Sequence, residues 1–166
     1  MMDTKAMGVG QVFVFIIAAI TFSLIMIFGY KALTDFMHQG EKVQFFQFKT
    51  DIERSIKEIY TEYGAVRVQE FRTPAKTSQV CFVDFDAAYD PDLCQKDVLA
   101  CTLWETSPGF LKVDQNIFLT PPAEIKIKGG AKIKMEKGFL CLPVQEGTFK
   151  ITLEGKGDHT YLSSSE

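Results

Sequence analysis

The chain has 166 residues, 46% of them hydrophobic and 23% charged, with a formal net charge of −3. That length holds one domain of about 100 residues beside a membrane segment, not an array of domains. The small negative charge gives no general attraction to nucleic acid or anionic lipid, and the composition is that of a globular protein.

Residues 1–8 read as a short N-terminal tail or leader, and 9–30 as a transmembrane helix. From Ala6 to Tyr30 no side chain is charged, and Leu, Ile, Phe and Val fill thirteen of the twenty positions from Val9 to Phe28. At about −0.3 to −0.6 kcal/mol each near a bilayer centre, those thirteen favour insertion by about 4 to 8 kcal/mol, which Gln11, Thr21 and Ser23 do not cancel. A secretory signal peptide has a shorter apolar run followed at once by a small-x-small cleavage site. Here the run ends in Phe28-Gly29-Tyr30-Lys31-Ala32-Leu33. A soluble core helix rarely needs to be apolar all round. The segment is therefore expected to be retained, with the lipid bilayer as its first partner.

Residues 31–64 read as an amphipathic helix. Phe45, Phe48, Ile52, Ile56, Ile59 and Tyr63 recur at the helical period, polar residues fill the other faces, and Gly64 stands where a C-terminal glycine belongs. Gly29 and Gly40 each cost about 1 kcal/mol in a helix, so the span and this segment can form one rod of up to about 80 Å. The stripe is expected to pack on the chain's own sheet, formed by Val66, Val68, Phe82, Ile133, Phe149 and Ile151, rather than to be reserved for another subunit.

Beyond Gly64 the period changes to two, and 65–162 reads as a β-rich domain. Val66 and Val68 alternate with polar residues, Gln79 to Phe85 is a buried-strand candidate, and Ile125 to Met135 reads as a hairpin around Gly129-Gly130. Phe139 to Val144, Phe149 to Leu153 and His159 to Leu162 add further strands. Residues 86–116 read as an irregular insertion and 163–166 as a tail. The fold class expected is α+β, a long helix against a small antiparallel sheet.

Four cysteines, Cys81, Cys94, Cys101 and Cys141, all lie in the β region. An even number confined to a small domain suggests two disulfides out of three possible pairings. Cys94 with Cys101 inside the insertion, and Cys81 with Cys141 between strands, is the pairing adopted. Buried thiols are the plain alternative, and zinc fits poorly because no two cysteines stand two to four residues apart. Cations are more numerous after the span than before it, which by itself would leave the C-terminal part in the cytoplasm. Long domains translocate largely regardless of that bias, so the cysteines carry more weight and place the domain outside the cytoplasm.

Signatures of an enzyme are missing: no nucleophile elbow, no phosphate-cradling glycine loop, no His-Glu-x-x-His, and only two isolated histidines, His38 and His159. Neither catalysis nor a cofactor is expected. Asp84, Asp86, Asp90 and Asp92 lie in a turn-rich stretch and are weak calcium candidates, although Ala88, Tyr89 and Gln95 rule out an EF-hand. Lys126, Lys128, Lys132 and Lys134 alternate with apolar residues without aromatic interleaving, a wet sheet face rather than a nucleic-acid site.

The order of parts resembles the type IV pilin-like proteins, especially archaeal ones. Lys5, Gly8 and Gly10 precede Gln11-Val12-Phe13-Val14-Phe15-Ile16-Ile17-Ala18-Ala19, and an amphipathic extension and a small β domain follow. The resemblance implies processing between Gly10 and Gln11 and a helix that bundles with copies of itself or with other membrane-spanning helices. Phe15 stands where many pilins carry a glutamate. The function expected is a single-pass, membrane-anchored structural subunit. A monomeric anchored binding module, or an accessory subunit of a membrane complex, is the alternative.

Overall fold

A computed structural model describes residues 9–106, 114–123, 125–129 and 132–165; side chains 9 and 35–39 are outside the description. The chain divides into two compact units, Met1–Lys42 and Val43–Glu166. The class is α+β. Helix α1, Val9–Tyr60, runs for 52 residues and supplies residues to both units.

From Gly10 to Tyr30 α1 carries no charged side chain. Gly10–Thr34 is long and apolar enough to cross a membrane, and none of its most apolar window is buried. Thr21, Ser23 and Thr34 return their hydroxyls to carbonyls three or four residues back, so these three hydroxyls bond to the helix itself.

In the second unit the remainder of α1 meets two sheets. Strands β1 (Val66–Arg72), β6 (Thr148–Gly155), β7 (Thr160–Ser164) and β4 (Ile133–Lys134) form one sheet in the order β1-β6-β7-β4. Strands β3 (Ile117–Thr120), β2 (Gln79–Val83) and β5 (Phe139–Pro143) form the other, in the order β3-β2-β5. All named pairings are antiparallel except β4 with β7, which is parallel, so the first sheet is mixed rather than purely antiparallel.

The main core gathers Phe48, Ile52, Ile56 and Ile59 of α1 with Val80, Phe82, Ile117, Phe149, Ile151, Leu153 and Leu162 of the strands. Phe149 is its hub, with ring centroids 6.2 Å from Phe48, 5.6 Å from Phe71 and 6.2 Å from Phe82. Residues of β2 alternate between two clusters: Val80 and Phe82 face the main core, whereas Cys81 and Val83 face a second cluster. A strand buried on both faces explains the unbroken apolar run Val80-Cys81-Phe82-Val83. The helix also touches the first sheet through polar atoms, for the Thr160 hydroxyl donates to the Ile56 carbonyl at 2.9 Å in a buried contact.

Three expectations are corrected. Val66 and Val68 are 60% and 65% exposed, and it is Phe71, 3% exposed, that turns inward from β1. The pairing sets Val66 opposite Glu154, Val68 opposite Thr152 and Phe71 opposite Phe149, so the valines share the solvent face with polar residues. The turn of the expected hairpin, at residues 130 and 131, lies outside the described residues, and the described arms on either side of it do not pair with each other. Ile127 bridges to Ile117, Ile133 pairs in parallel with Thr160, and the two halves thus join different sheets. The buried Gly129 lies against Ile56 and Ile133 while its N–H donates to Asn116 Oδ1, which anchors the crossing between sheets. The stretch 86–116 contains a 3-10 helix, Pro91–Gln95, and helix α2, Val98–Thr106. In addition, α1 ends at Tyr60, and Tyr63 is 84% exposed rather than part of the buried stripe.

Two substitutions test this packing in the full chain held in detergent micelles. Ile56 is wholly buried, and Ile56→Ala is expected to lower unfolding stability by about 2 to 5 kcal/mol in chemical denaturation. A Cβ at Gly155 would coincide with the backbone carbonyls of Ile59 and Glu62. Gly155→Ala is therefore expected to destabilise more than an ordinary surface change, by more than about 1 kcal/mol, because backbone rather than a flexible side chain must yield.

Candidate functional site

The cysteine-bearing insertion concentrates the polar side chains singled out in the sequence. Asp90 opens the 3-10 helix, accepting the Asp92 N–H at 2.9 Å, with Pro91 at the first position where a missing N–H costs nothing. Asp97 caps α2: its Oδ1 accepts the Ala100 N–H at 2.9 Å, and its Oδ2 accepts the Thr120 hydroxyl at 3.3 Å. That second bond fastens α2 to β3. An aspartate directly before the apolar run Val98-Leu99-Ala100 was the sequence signal for this missed helix.

Two disulfides join the pairs named from the sequence, Cys81 with Cys141 and Cys94 with Cys101. The first spans directly opposed residues of β2 and β5. The second links the 3-10 helix to α2. Around it lies the second cluster, with Leu93 and Ala100 fully buried and Trp104 4% exposed. Trp104 stacks edge-on against Tyr89 at 5.7 Å and against Phe139 at 6.3 Å. Gly138 has positive φ, and a Cβ there would press on Ala87 and the Trp104 ring, so this turn holds the indole in place. Tyr89 and Trp104 were not singled out as functional in the sequence, since neither belongs to a local motif.

The four calcium candidates do not converge. Asp84 is buried and accepts the Asp86 N–H at 3.1 Å; Asp86 is exposed and pairs with Lys132 at 3.5 Å; Asp90 and Asp92 are engaged at the 3-10 helix. Among the described residues no group of three or more His, Cys, Asp or Glu is placed to hold a metal ion. The Asp84 and Asp90 carboxylates accept backbone N–H groups two residues on, as turn residues do, and the Asp86 carboxylate pairs with a lysine. The lysine strip is likewise divided: Lys128 pairs with Asp114 at 3.6 Å, Lys132 with Asp86, and the Lys126 carbonyl accepts from Lys49 Nζ at 3.2 Å.

Gly10 and Gln11 lie in the first turn of α1, both exposed. Shallow grooves among the described residues include two in the second unit. One of about 460 Å³ runs between α1 and β1 and is lined by Asp51, Arg54, Glu58, Glu70 and Arg72; the other, of about 640 Å³, lies beside Pro143, Gln145 and Ser164.

Burial raises the Asp84 carboxyl above its ordinary value of 3.8, while the Asp86 N–H and the Lys132 and Lys134 charges offset part of the rise. A carboxyl raised on folding stabilises the fold fully below 3.8, and that contribution is lost as pH climbs through the folded value. Asp84→Asn retains an acceptor oxygen but cannot ionise. Its melting temperature in micelles is expected to match wild type near pH 3 and to rise relative to wild type as pH approaches 7, in a paired thermal series.

No protein-family model, no curated protein and no solved structure matches the chain.

Proposed function

We propose that the protein is a single-pass, membrane-anchored structural subunit of pilin-like organisation, with its β domain outside the cytoplasm, acting through assembly with other membrane-spanning helices. The observation that carries this reading is the apolar stretch Gly10–Thr34, a continuous part of the same helix whose later turns enter the β core. A signal peptide is cut away from the domain that it delivers. Here removal after the apolar run would have to sever α1 upstream of Phe48, Ile52, Ile56 and Ile59, which supports an anchor that stays. Two disulfides in the domain support an oxidising compartment.

The burial of the α1 stripe within its own domain bears on how subunits would meet. Those side chains are spent, so association falls to the apolar span. Lipid is as apolar as the helix, and spans associate through close packing and interhelical hydrogen bonds rather than the hydrophobic effect. The same self-sufficiency favours the second reading, a monomeric anchored binding module or accessory subunit.

Recovery of the protein from its native membranes tests the proposal. A mature N-terminus at Gln11, two intrachain disulfides in a non-reducing mass map and multimers on cross-linking are expected. A mature N-terminus at Met1 or Met2 with monomers only would favour the accessory reading. Cleavage between Phe28 and Phe45 would remove the anchor and overturn both, and four thiols that react with a maleimide after denaturation would overturn the extracytoplasmic placement.

A further inference from the structure

The two disulfides sit in different mechanical settings. Cys81 and Cys141 are opposed residues of a strand pair, with ladder partners on either side at Val80 with Leu142 and Phe82 with Leu140. If their bond opens, the strands keep the sulfurs face to face and reclosure is immediate. Gln79 Nε2 donates to the Cys81 sulfur at 3.1 Å, but Cys81 is 1% exposed in the central strand, where a thiolate would be desolvated. Cys94 and Cys101 instead bridge two short helical elements that share no strand pairing.

Each pair joins one half-buried sulfur, Cys141 or Cys94, to one buried sulfur, so what distinguishes the second pair is the absence of a strand ladder and the hydroxyl beside its sulfurs. Cys94 is half-buried, whereas Cys101 is 5% exposed. The Tyr89 hydroxyl lies 3.2 Å from the Cys94 sulfur and 3.4 Å from that of Cys101. A disulfide sulfur has no hydrogen to give, so the phenol donates. The same donor can follow the charge that appears on a departing sulfur, and exchange is faster when the leaving thiolate is stabilised and the attacked sulfur is open. The surroundings have holds other than the bond: Leu93, Ala100 and Trp104 are buried, and Asp97 caps α2 and accepts from Thr120.

We infer that Cys94–Cys101 is a thiol-exchange site for an external dithiol, with Cys94 the sulfur attacked and Cys101 the sulfur that leaves under the Tyr89 hydroxyl. The incoming thiolate bonds to Cys94 Sγ, the Cys94–Cys101 bond breaks, and its electron pair goes to Cys101 Sγ. A mixed disulfide on Cys94 results. The second thiolate of the same dithiol then attacks its own bridged sulfur and releases Cys94; the dithiol ends as a disulfide, and the two cysteines end as thiols after taking up the two protons it gave. Asp90 and Asp92 stand close to Cys94 in sequence, so a neutral or cationic thiol carrier is favoured over an anionic one. This goes beyond the assembly reading and does not depend on it.

The test uses the full chain in detergent micelles, with dithiothreitol and cysteamine as probes. Graded dithiothreitol followed by alkylation and peptide mapping is expected to label Cys94 and Cys101 at about tenfold lower reductant than Cys81 and Cys141. Emission from Trp104, the single tryptophan, is expected to change over the same range with the far-ultraviolet circular dichroism unchanged. Cysteamine is expected to leave its mixed disulfide on Cys94. Tyr89 is 41% exposed, so Tyr89→Phe keeps the ring at little cost, and it is expected to slow opening by about threefold or more. Both disulfides opening together, Cys81–Cys141 opening first, or an adduct on Cys101 or Cys141 would overturn the site. An unchanged opening rate in Tyr89→Phe would overturn the part assigned to the hydroxyl.

Discussion

Burial of one helical stripe holds the domain together. Phe48, Ile52, Ile56 and Ile59 are each no more than 2% exposed, and at about 1.5 to 3 kcal/mol for each enclosed side chain they contribute about 6 to 12 kcal/mol. A stretch as short as 48–59 is marginal as a helix alone in water, so the order of this part of α1 depends on that burial. Both sheets depend on it in turn, because Val80 and Phe82 of one and Ile151, Leu153 and Leu162 of the other close on the same surface. The close approach is visible at Gly155, where only a hydrogen fits beneath the carbonyls of Ile59 and Glu62, and at Thr160, whose hydroxyl reaches the helix backbone.

From that surface the structure extends outward through β2. With Val80 and Phe82 turned to the main core, Cys81 and Val83 necessarily point the other way, and that second face requires its own cover. The 3-10 helix and α2 supply it, bringing Leu93, Ala100, Cys101 and Trp104. The acidic residues of this region cap and fasten the covering elements, which is why they are dispersed rather than gathered about an ion. The second unit buries its own apolar stripe, and among the described residues the stretch Gly10–Thr34 is a large apolar surface without protein cover. A surface of that kind is long and apolar enough to cross a membrane.

The two covalent links follow the same layering. Cys81–Cys141 lies within the inner sheet and reinforces pairings that the ladder already makes. Cys94–Cys101 lies in the outer cover, between elements held otherwise by one aspartate cap and a few buried side chains. A bond whose loss leaves its surroundings in place can be chemically active without endangering the fold. That difference comes from where each pair sits, since all four residues are the same type.

By itself the sequence determined what rests on local pattern. The uncharged run identified the long apolar helix, the 3.6 period identified the stripe from Phe48 to Ile59, and the count of cysteines pointed to two pairs. The period of two was legible at Ile127, Ile133 and Met135, all buried, with lysines between them. Tertiary structure alone decided which partner and which face each segment took. Val66 and Val68 alternate as convincingly as a core strand, yet pairing of β1 with β6 places Phe71 against Phe149 and turns both valines outward. Ile127 and Ile133 read as two arms of one hairpin, yet each finds a better partner far away in the chain, in Ile117 and Thr160. Tyr89 meets the sulfurs of Cys94 and Cys101 only because the covering helices fold back over β2. Periodicity is a property of neighbours along the chain, whereas face, register and partner are settled by competition among distant segments for the same buried surface.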